Sequence, residues 1–239
     1  MSGLRSQLLR ATQRSGRPSS DFDLNADGDR PVQSLRDAAV LIPIVERDEP
    51  WVVLTKRSSA LKHHPGQIAF PGGKVEEADD GIVGAALRET EEEISVRADQ
   101  IDVVGRLAPH ETVTGFRVTP VLALVASDYV ARPDPSEVAE VFEVPLAHLM
   151  DTGKYLVESR RWRGQRRYFF TIPWGPYYVW GATARMLRAL ADRMDGADYR
   201  RVVVVGGDVS RVQPFGGRGA RRVRGWRLRA ERAVGCDGA

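Results

Sequence analysis

Gly72–Val96 reads GGKVEEADDGIVGAALRETEEEISV, and the pattern inside it decides how the chain folds. Two glycines open the stretch, and Asp79 or Asp80 stands where a helix N-cap is expected, with the helix running to about Ile94. At about 100° per residue, Glu89, Glu92 and Glu93 fall within one arc of about 100°, and Glu91 points the other way. Ala85 and Ala86 share the acidic arc, where their small side chains leave it open to close approach. Val83, Leu87, Thr90 and Ile94 cluster elsewhere and are expected to pack on a sheet. Arg88 lies one turn before Glu92 and is spaced to pair with it.

Like charges on one helical face repel and weaken an isolated helix. A divalent cation would neutralise them, and an oxygen-only donor set selects a hard ion, Mg²⁺ or Mn²⁺. Magnesium commonly works with a few carboxylates plus substrate phosphates, which implies a phosphorylated substrate. The alternative is a solvated acidic face, the ordinary fate of a Glu-rich run. Gly72 and Gly73 bear on the choice, because glycines ahead of a helix let backbone amides approach an anion or a metal site.

Outward from this stretch, short apolar runs predict strands. Ala38–Val45 and Trp51–Thr55 are separated by a charged turn, and Ile101–Leu107, Val118–Val125 and Tyr168–Ile172 read the same way. Glu137–Met150 reads as a turn into a short helix, and Thr183–Met194 as an amphipathic helix with Met186, Leu187, Leu190 and Met194 on its apolar face. The fold class is therefore mixed α/β, with one domain over residues 36–195 of the 239.

Composition narrows the function. The chain is 42% hydrophobic and 28% charged, enough to bury a core, and no run approaches the roughly 18 apolar residues of a membrane helix. Its one cysteine, Cys236, excludes a disulfide framework and a cysteine metal site. From Arg200 onward ten arginines face three acids, a net of +7 against +3 for the whole chain, which leaves −4 for residues 1–199. The basic character thus belongs to the tail, residues 196–239, read as a disordered Gly/Arg-rich extension; its Arg residues with Trp226 also suit weak RNA contact. Residues 1–35 read as a helix and linker. Their first twenty residues, with four arginines and no acid, suit a surface helix at the domain edge of a cytoplasmic protein, or alternatively a mitochondrial transit peptide.

The segment Gly73–Val96 resembles the Nudix box, with Arg88-Glu89-Thr90-Glu91-Glu92-Glu93-Ile94-Ser95-Val96 matching its R-E-U-x-E-E-x-G-U core. Ser95 replaces the usual glycine, and the spacer from the glycine to the arginine is one residue longer, with Asp79 or Asp80 where a glutamate is common. Upstream, Leu54-Thr55-Lys56-Arg57-Ser58, Lys62, Gly66-Gln67 and Phe70-Pro71-Gly72-Gly73 are similar to the signature of the coenzyme A pyrophosphatase branch, with Val53 and Lys62 as mild changes from it. Segments 137–146 and 180–187 are similar to that branch as well.

The resemblance implies an α/β/α sandwich around a mixed sheet. It implies metal binding by Glu89, Glu92 and Glu93, with Arg88 orienting one of them. The implied reaction splits the diphosphate of coenzyme A into 4′-phosphopantetheine and adenosine 3′,5′-bisphosphate. Lys56, Arg57, Gly72 and Gly73 are expected to hold the substrate, and His63 and His64 are possible contacts. Glu89, Glu137 and Glu140 are all open as the general base, although Glu137 and Glu140 equally suit a helix N-terminus. Other substrates within the family are ADP-ribose, NADH or a nucleoside triphosphate. A non-catalytic nucleotide- or RNA-binding module is the reading from a different class.

Overall fold

The computed structural model describes residues 3–14, 16–25, 34–162, 164–194 and 203–204. In chain order its elements are α1 (Gly3–Gln13), β1 (Ser19–Ser20), β2 (Arg36–Val45), β3 (Trp51–Arg57), β4 (Ile68–Ala69), β5 (Gly72–Lys74) and α2 (Gly81–Ile94). There follow β6 (Ile101–Arg106), β7 (His110–Glu111), β8 (Phe116–Val125), β9 (Val138–Pro145) and α3 (Leu146–Met150). The remainder are β10 (Leu156–Trp162), β11 (Gln165–Trp174), β12 (Tyr177–Trp180), α4 (Gly181–Met194) and β13 (Val203–Val204).

Strand β2 is the axis of the molecule. It pairs in parallel with β8 over its whole length, from Arg36 opposite Phe116 to Val45 opposite Val125, and antiparallel with β3 and β5. Its near-continuous apolar run, AAVLIPIV, suits a strand buried on both faces. Alternate residues go to opposite sides. Ala39 and Leu41, with Val121 and Ala123 of β8, pack under Ala85 and Ala86 of α2. Ala38, Ile42 and Ile44 join the main core on the other face, with Leu187 and Leu190 of α4 and Leu8 and Ala11 of α1. A mixed sheet of nine strands, in the order β1-β7-β8-β2-β3-β4 with β5, β6 and β9 attached, is thus held between helices. This is the α/β/α arrangement expected from the sequence.

Four features depart from the sequence expectations. First, residues 138–145 are strand rather than the approach to a helix. The alternation in VAEVFEVP is satisfied by antiparallel pairing of β9 with β3, and only Leu146–Met150 is helical. Second, α2 lays Ala85, Ala86, Thr90, Glu93 and Ile94 against the protein and leaves Val83 and Leu87 half-buried. Small alanines let the helix sit close on the sheet, so the alanine face is the packed face rather than an open one.

Third, a four-stranded second sheet, β12-β11-β10-β13, covers the main core. Of its strands only part of β11 was legible. Fourth, residues 16–25 are not a free linker. Strand β1 pairs in parallel with β7, and Phe22 and Leu24 are buried. Within the expected basic tail, Val203–Val204 pairs in parallel with Leu156–Val157, and the rest of that tail lies outside the described residues.

Candidate functional site

The three glutamates of the acidic arc meet three different environments. Side-chain exposure is 3% for Glu93, 15% for Glu89 and 55% for Glu92, so one helix carries its carboxylates from the protein interior out to solvent. The gradient follows from the packing of α2 through its alanines, because Glu93 is two turns below Ala86 on the buried side.

Glu93 is held between the ends of two strands. The Gly72 amide donates to its Oε2 at 3.3 Å, and the Arg57 guanidinium at the end of β3 lies 3.8 Å from its Oε1. Burial pushes this carboxyl up to about 8, against the pull of Arg57 and the Gly72 amide, with Glu137 and Glu89 pushing it further. Burial likewise raises Glu89; Arg88 opposes the shift, and Glu92 and Glu137 add to it. Glu137, which ends the loop before β9, therefore stands in electrostatic reach of both helix carboxylates. Nothing local in the sequence marks this, because the contact is made by β9 pairing with β3.

Arg88 gathers the exposed side of the cluster. It donates to Glu89 at 3.1 Å and to Glu92 at 2.9 Å, so the pairing with Glu92 expected from the helical spacing is present. It also donates to the Lys74 carbonyl at 3.1 Å and to both oxygens of Asp79. Asp80 occupies the N-cap without making a side-chain cap bond, and Asp79 serves Arg88 instead.

The two glycines have separate tasks. At Gly73 a Cβ would lie 2.3 Å from Oε1 of Glu89, so the bare backbone makes room for that carboxylate. At Gly72, φ is +149° and a Cβ would lie 2.3 Å from the Ala39 carbonyl, so this residue lets β5 close on β2. The Arg57 amide donates to Gln67 O at 3.0 Å, which ties the loop after β3 to the same end of the sheet. Lys56 is opposite Glu140 in the β3–β9 pairing, and Tyr177, stacked on Phe142 at 3.6 Å, donates its hydroxyl to Glu140. Glu140 is thus a strand residue with a phenol partner, and the helix N-terminus that Glu137 and Glu140 were also suited to does not exist here. His63 and His64 are exposed in the loop. Arg185 pairs with Asp23 at 2.8 Å, at the edge of the core.

Among the described residues no three His, Cys, Asp or Glu side chains are already gathered around one point as a ready metal cage. The donor chemistry nonetheless suits a hard divalent ion. The carboxylates are close enough to raise one another's protonation range, and Glu93 is buried with only long contacts to cationic or amide partners.

A model of the NUDIX domain matches residues 35–164. The chain belongs to the Nudix family. Relatives include the protein named Uncharacterized Nudix hydrolase NudL from Cronobacter sakazakii, 44% identical over 156 residues, which are 65% of this chain and 81% of that protein. The protein of the same name from Escherichia coli O6:H1 is also 44% identical, over 65% of this chain and 81% of its own length. Among solved structures, the MutT protein from Methanosarcina mazei Go1 is similar with a TM-score of 0.45 and 18% identity, covering 70% of this chain and 97% of that one. A Nudix hydrolase of this kind is a pyrophosphohydrolase acting on a nucleoside diphosphate derivative, and Nudix hydrolases generally use divalent metals such as Mg²⁺ or Mn²⁺. No helix among the described residues is long and apolar enough to cross a membrane.

Proposed function

We propose that this Nudix hydrolase cleaves the diphosphate of coenzyme A, or of acyl-coenzyme A, to 4′-phosphopantetheine and adenosine 3′,5′-bisphosphate. The observation that carries the reading is the way residues 54–73 fold as one unit. The end of β3, the loop, β4 and β5 bring Arg57, Gln67, Gly72 and Gly73 to the edge of the helix carboxylates. These are the positions where the sequence is similar to the coenzyme A pyrophosphatase signature. ADP-ribose and NADH are the competing substrates.

In this reading Glu89, Glu92 and Glu93 hold the Mg²⁺ or Mn²⁺, and Arg88 orients Glu89 and Glu92. The bound metal supplies charge neutralisation at the diphosphate and a more acidic water. Lys56 and Arg57, at the mouth of β3, hold the phosphates, and Gly72 and Gly73 present their backbone to the substrate beside α2. Glu137 is the carboxylate best placed to accept the proton of the attacking water, because it approaches Glu89 and Glu93 from a different element and is tied to no cation among the described residues. Positioning and charge stabilisation carry the reaction, so no covalent intermediate is required.

Product analysis tests the reading. Purified protein is given coenzyme A, ADP-ribose and NADH in turn with Mg²⁺ or Mn²⁺. Adenosine 3′,5′-bisphosphate released fastest from coenzyme A is the expected result. Turnover confined to the other nucleotides overturns the substrate and leaves the Nudix chemistry in place.

A further inference from the structure

The second sheet has one face in the core and one outside. Val157, Phe170, Ile172 and Val179 are buried against the helices. By strand alternation the opposite face carries Arg160 of β10, Phe169 of β11 and Trp180 of β12. Pairing of Glu158 with Phe169 and of Thr171 with Trp180 makes Phe169 the diagonal neighbour of both Arg160 and Trp180. The Phe169 and Trp180 rings lie 5.3 Å apart at 57°, and the exposed Arg160 guanidinium sits 5.2 Å from the Trp180 ring and 5.9 Å from Phe169.

Two observations mark this cluster as more than surface. Arg160 is directly opposite Arg167, and Arg161 opposite Arg166, so the hairpin sets like charges in register, an arrangement that destabilises a sheet. Arg167 is turned to Phe22 at 5.1 Å, whereas Arg160 makes no ion pair among the described residues and presents its charge to solvent over two half-buried rings. A relay of contacts leads from the end of β12 toward the carboxylate site. Trp180 is followed by Gly181, where a Cβ would lie 3.7 Å from Gln67 Nε2. Gln67 O accepts from the Arg57 amide, and Arg57 reaches Glu93. Thr183 donates to the Ile68 carbonyl at 3.1 Å and fixes the start of α4 to β4.

We propose that Arg160, Phe169 and Trp180 form the subsite for the nucleoside end of the substrate, with the rings taking the adenine and Arg160 the ribose 3′-phosphate. The assignment rests on the coenzyme A reading and deepens it. Aromatic faces accept a planar base with little regard to its identity. A guanidinium pairs with a phosphomonoester through two parallel hydrogen bonds and so distinguishes a phosphorylated ribose from an unphosphorylated one. Coenzyme A carries both groups on one nucleoside. A dinucleotide such as NADH carries only the base.

Steady-state kinetics of the full chain with Mg²⁺, on coenzyme A and on 3′-dephospho-coenzyme A, tests this with Arg160→Gln. The native protein is expected to prefer coenzyme A. In Arg160→Gln the KM for coenzyme A is expected to rise about tenfold, the effect of one lost charge-assisted pair, and the preference to collapse toward one. An unchanged preference in the variant overturns the subsite. Calorimetric binding of adenosine 3′,5′-bisphosphate without metal separates this result from the substrate assignment. If the native protein turns over neither coenzyme A nor 3′-dephospho-coenzyme A, the coenzyme A reading fails, and the binding measurement still decides the subsite. Binding that Arg160→Gln and Phe169→Leu both weaken supports it, and absence of binding to the native protein overturns it.

Discussion

Arg88 grips Asp79 with two nitrogens, Nε to Oδ1 at 2.7 Å and Nη2 to Oδ2 at 3.1 Å, while its Nη1 reaches Glu89 and Glu92 on its own helix. The aspartate lies in the turn before α2 and is itself braced, accepting from the Glu76 amide at 2.7 Å. Hydrogen bonding from Arg88, then from that amide, holds Asp79 below the usual carboxylate range. One guanidinium therefore fixes the geometry of two carboxylates, and the turn fixes the guanidinium.

Asp79→Asn leaves Arg88 with a single good acceptor in the turn and loosens Glu89 and Glu92 without touching the core. Turnover is expected to fall about tenfold to a hundredfold, as when an outer partner of a metal ligand is lost, with unchanged circular dichroism. Native turnover in this variant would show that Arg88 needs no second anchor.

Glu93→Gln keeps the shape of a buried side chain and removes its charge. Because burial already disfavours the ionised carboxyl, the amide is expected to leave the thermal midpoint equal to or above that of the native protein, while hydrolysis falls below detection. Glu92→Gln, at the exposed end of the arc, is expected to lose activity with no change in midpoint. Full activity of either variant at saturating Mg²⁺ would remove these glutamates from the site.

Gly73→Ala and Gly72→Ala separate chemistry from folding. The first puts a methyl group 2.3 Å from the Glu89 carboxylate, a side chain that can swing away, so activity is lost with little change in stability. The second drives a methyl group into the Ala39 backbone at a positive φ and is expected to destabilise by about 1–3 kcal/mol in denaturant titrations.

Ser95 occupies the left-handed C-cap of α2, with φ 58° and ψ 29°, which is why the family pattern has a glycine there. Ser95→Gly relieves that strain and gives up the exposed bond from the serine hydroxyl to the Arg132 carbonyl. The net effect is a gain of less than about 1 kcal/mol, seen as a rise in Tm of about 2 °C.

His110 is fully buried between Ser19, 2.9 Å from its Nδ1, and Asp21, 3.1 Å from its Nε2, and this clamp docks residues 16–25 on the sheet. Burial pushes the Asp21 carboxyl up, but the hydrogen bond and charge of His110, the Val113 amide and Arg167 outweigh it and hold the group below its usual value. Unfolding lets Asp21 bind a proton more readily, so its contribution is complete above about pH 4 and is lost as the pH falls through the folded-state value. Asp21→Asn is expected to flatten the acid limb of a Tm-against-pH profile. A parallel profile in the variant would assign the acid sensitivity elsewhere.

Legibility in the sequence tracked how local each feature is. The α2 helix, its acidic arc and the Arg88–Glu92 pair follow from spacing along one helix and were readable. So were β2, β3, β6 and β8, whose apolar runs are strong. Strand β9 was not, because Pro145 and the short helix Leu146–Met150 directly after it suggested one helical unit, and its alternation gains meaning only when β3 is alongside. Most of the second sheet escaped for a related reason. Its outer face carries arginines and half-buried aromatics, which do not read as strand until the hairpin register is known.

By itself the sequence determined that three glutamates share one arc of a helix entered through two glycines, because helical periodicity is a property of neighbouring residues. Only the tertiary structure decided which carboxylate is buried, that Asp79 rather than a fourth helix residue holds Arg88, and that Glu137 approaches from the loop before β9. The physical reason is that burial and long-range charge depend on what the sheet sets against the helix. Here that is a floor of Ala39, Leu41, Val121 and Ala123, against which Ala85 and Ala86 bring α2 close enough to draw Glu93 inside.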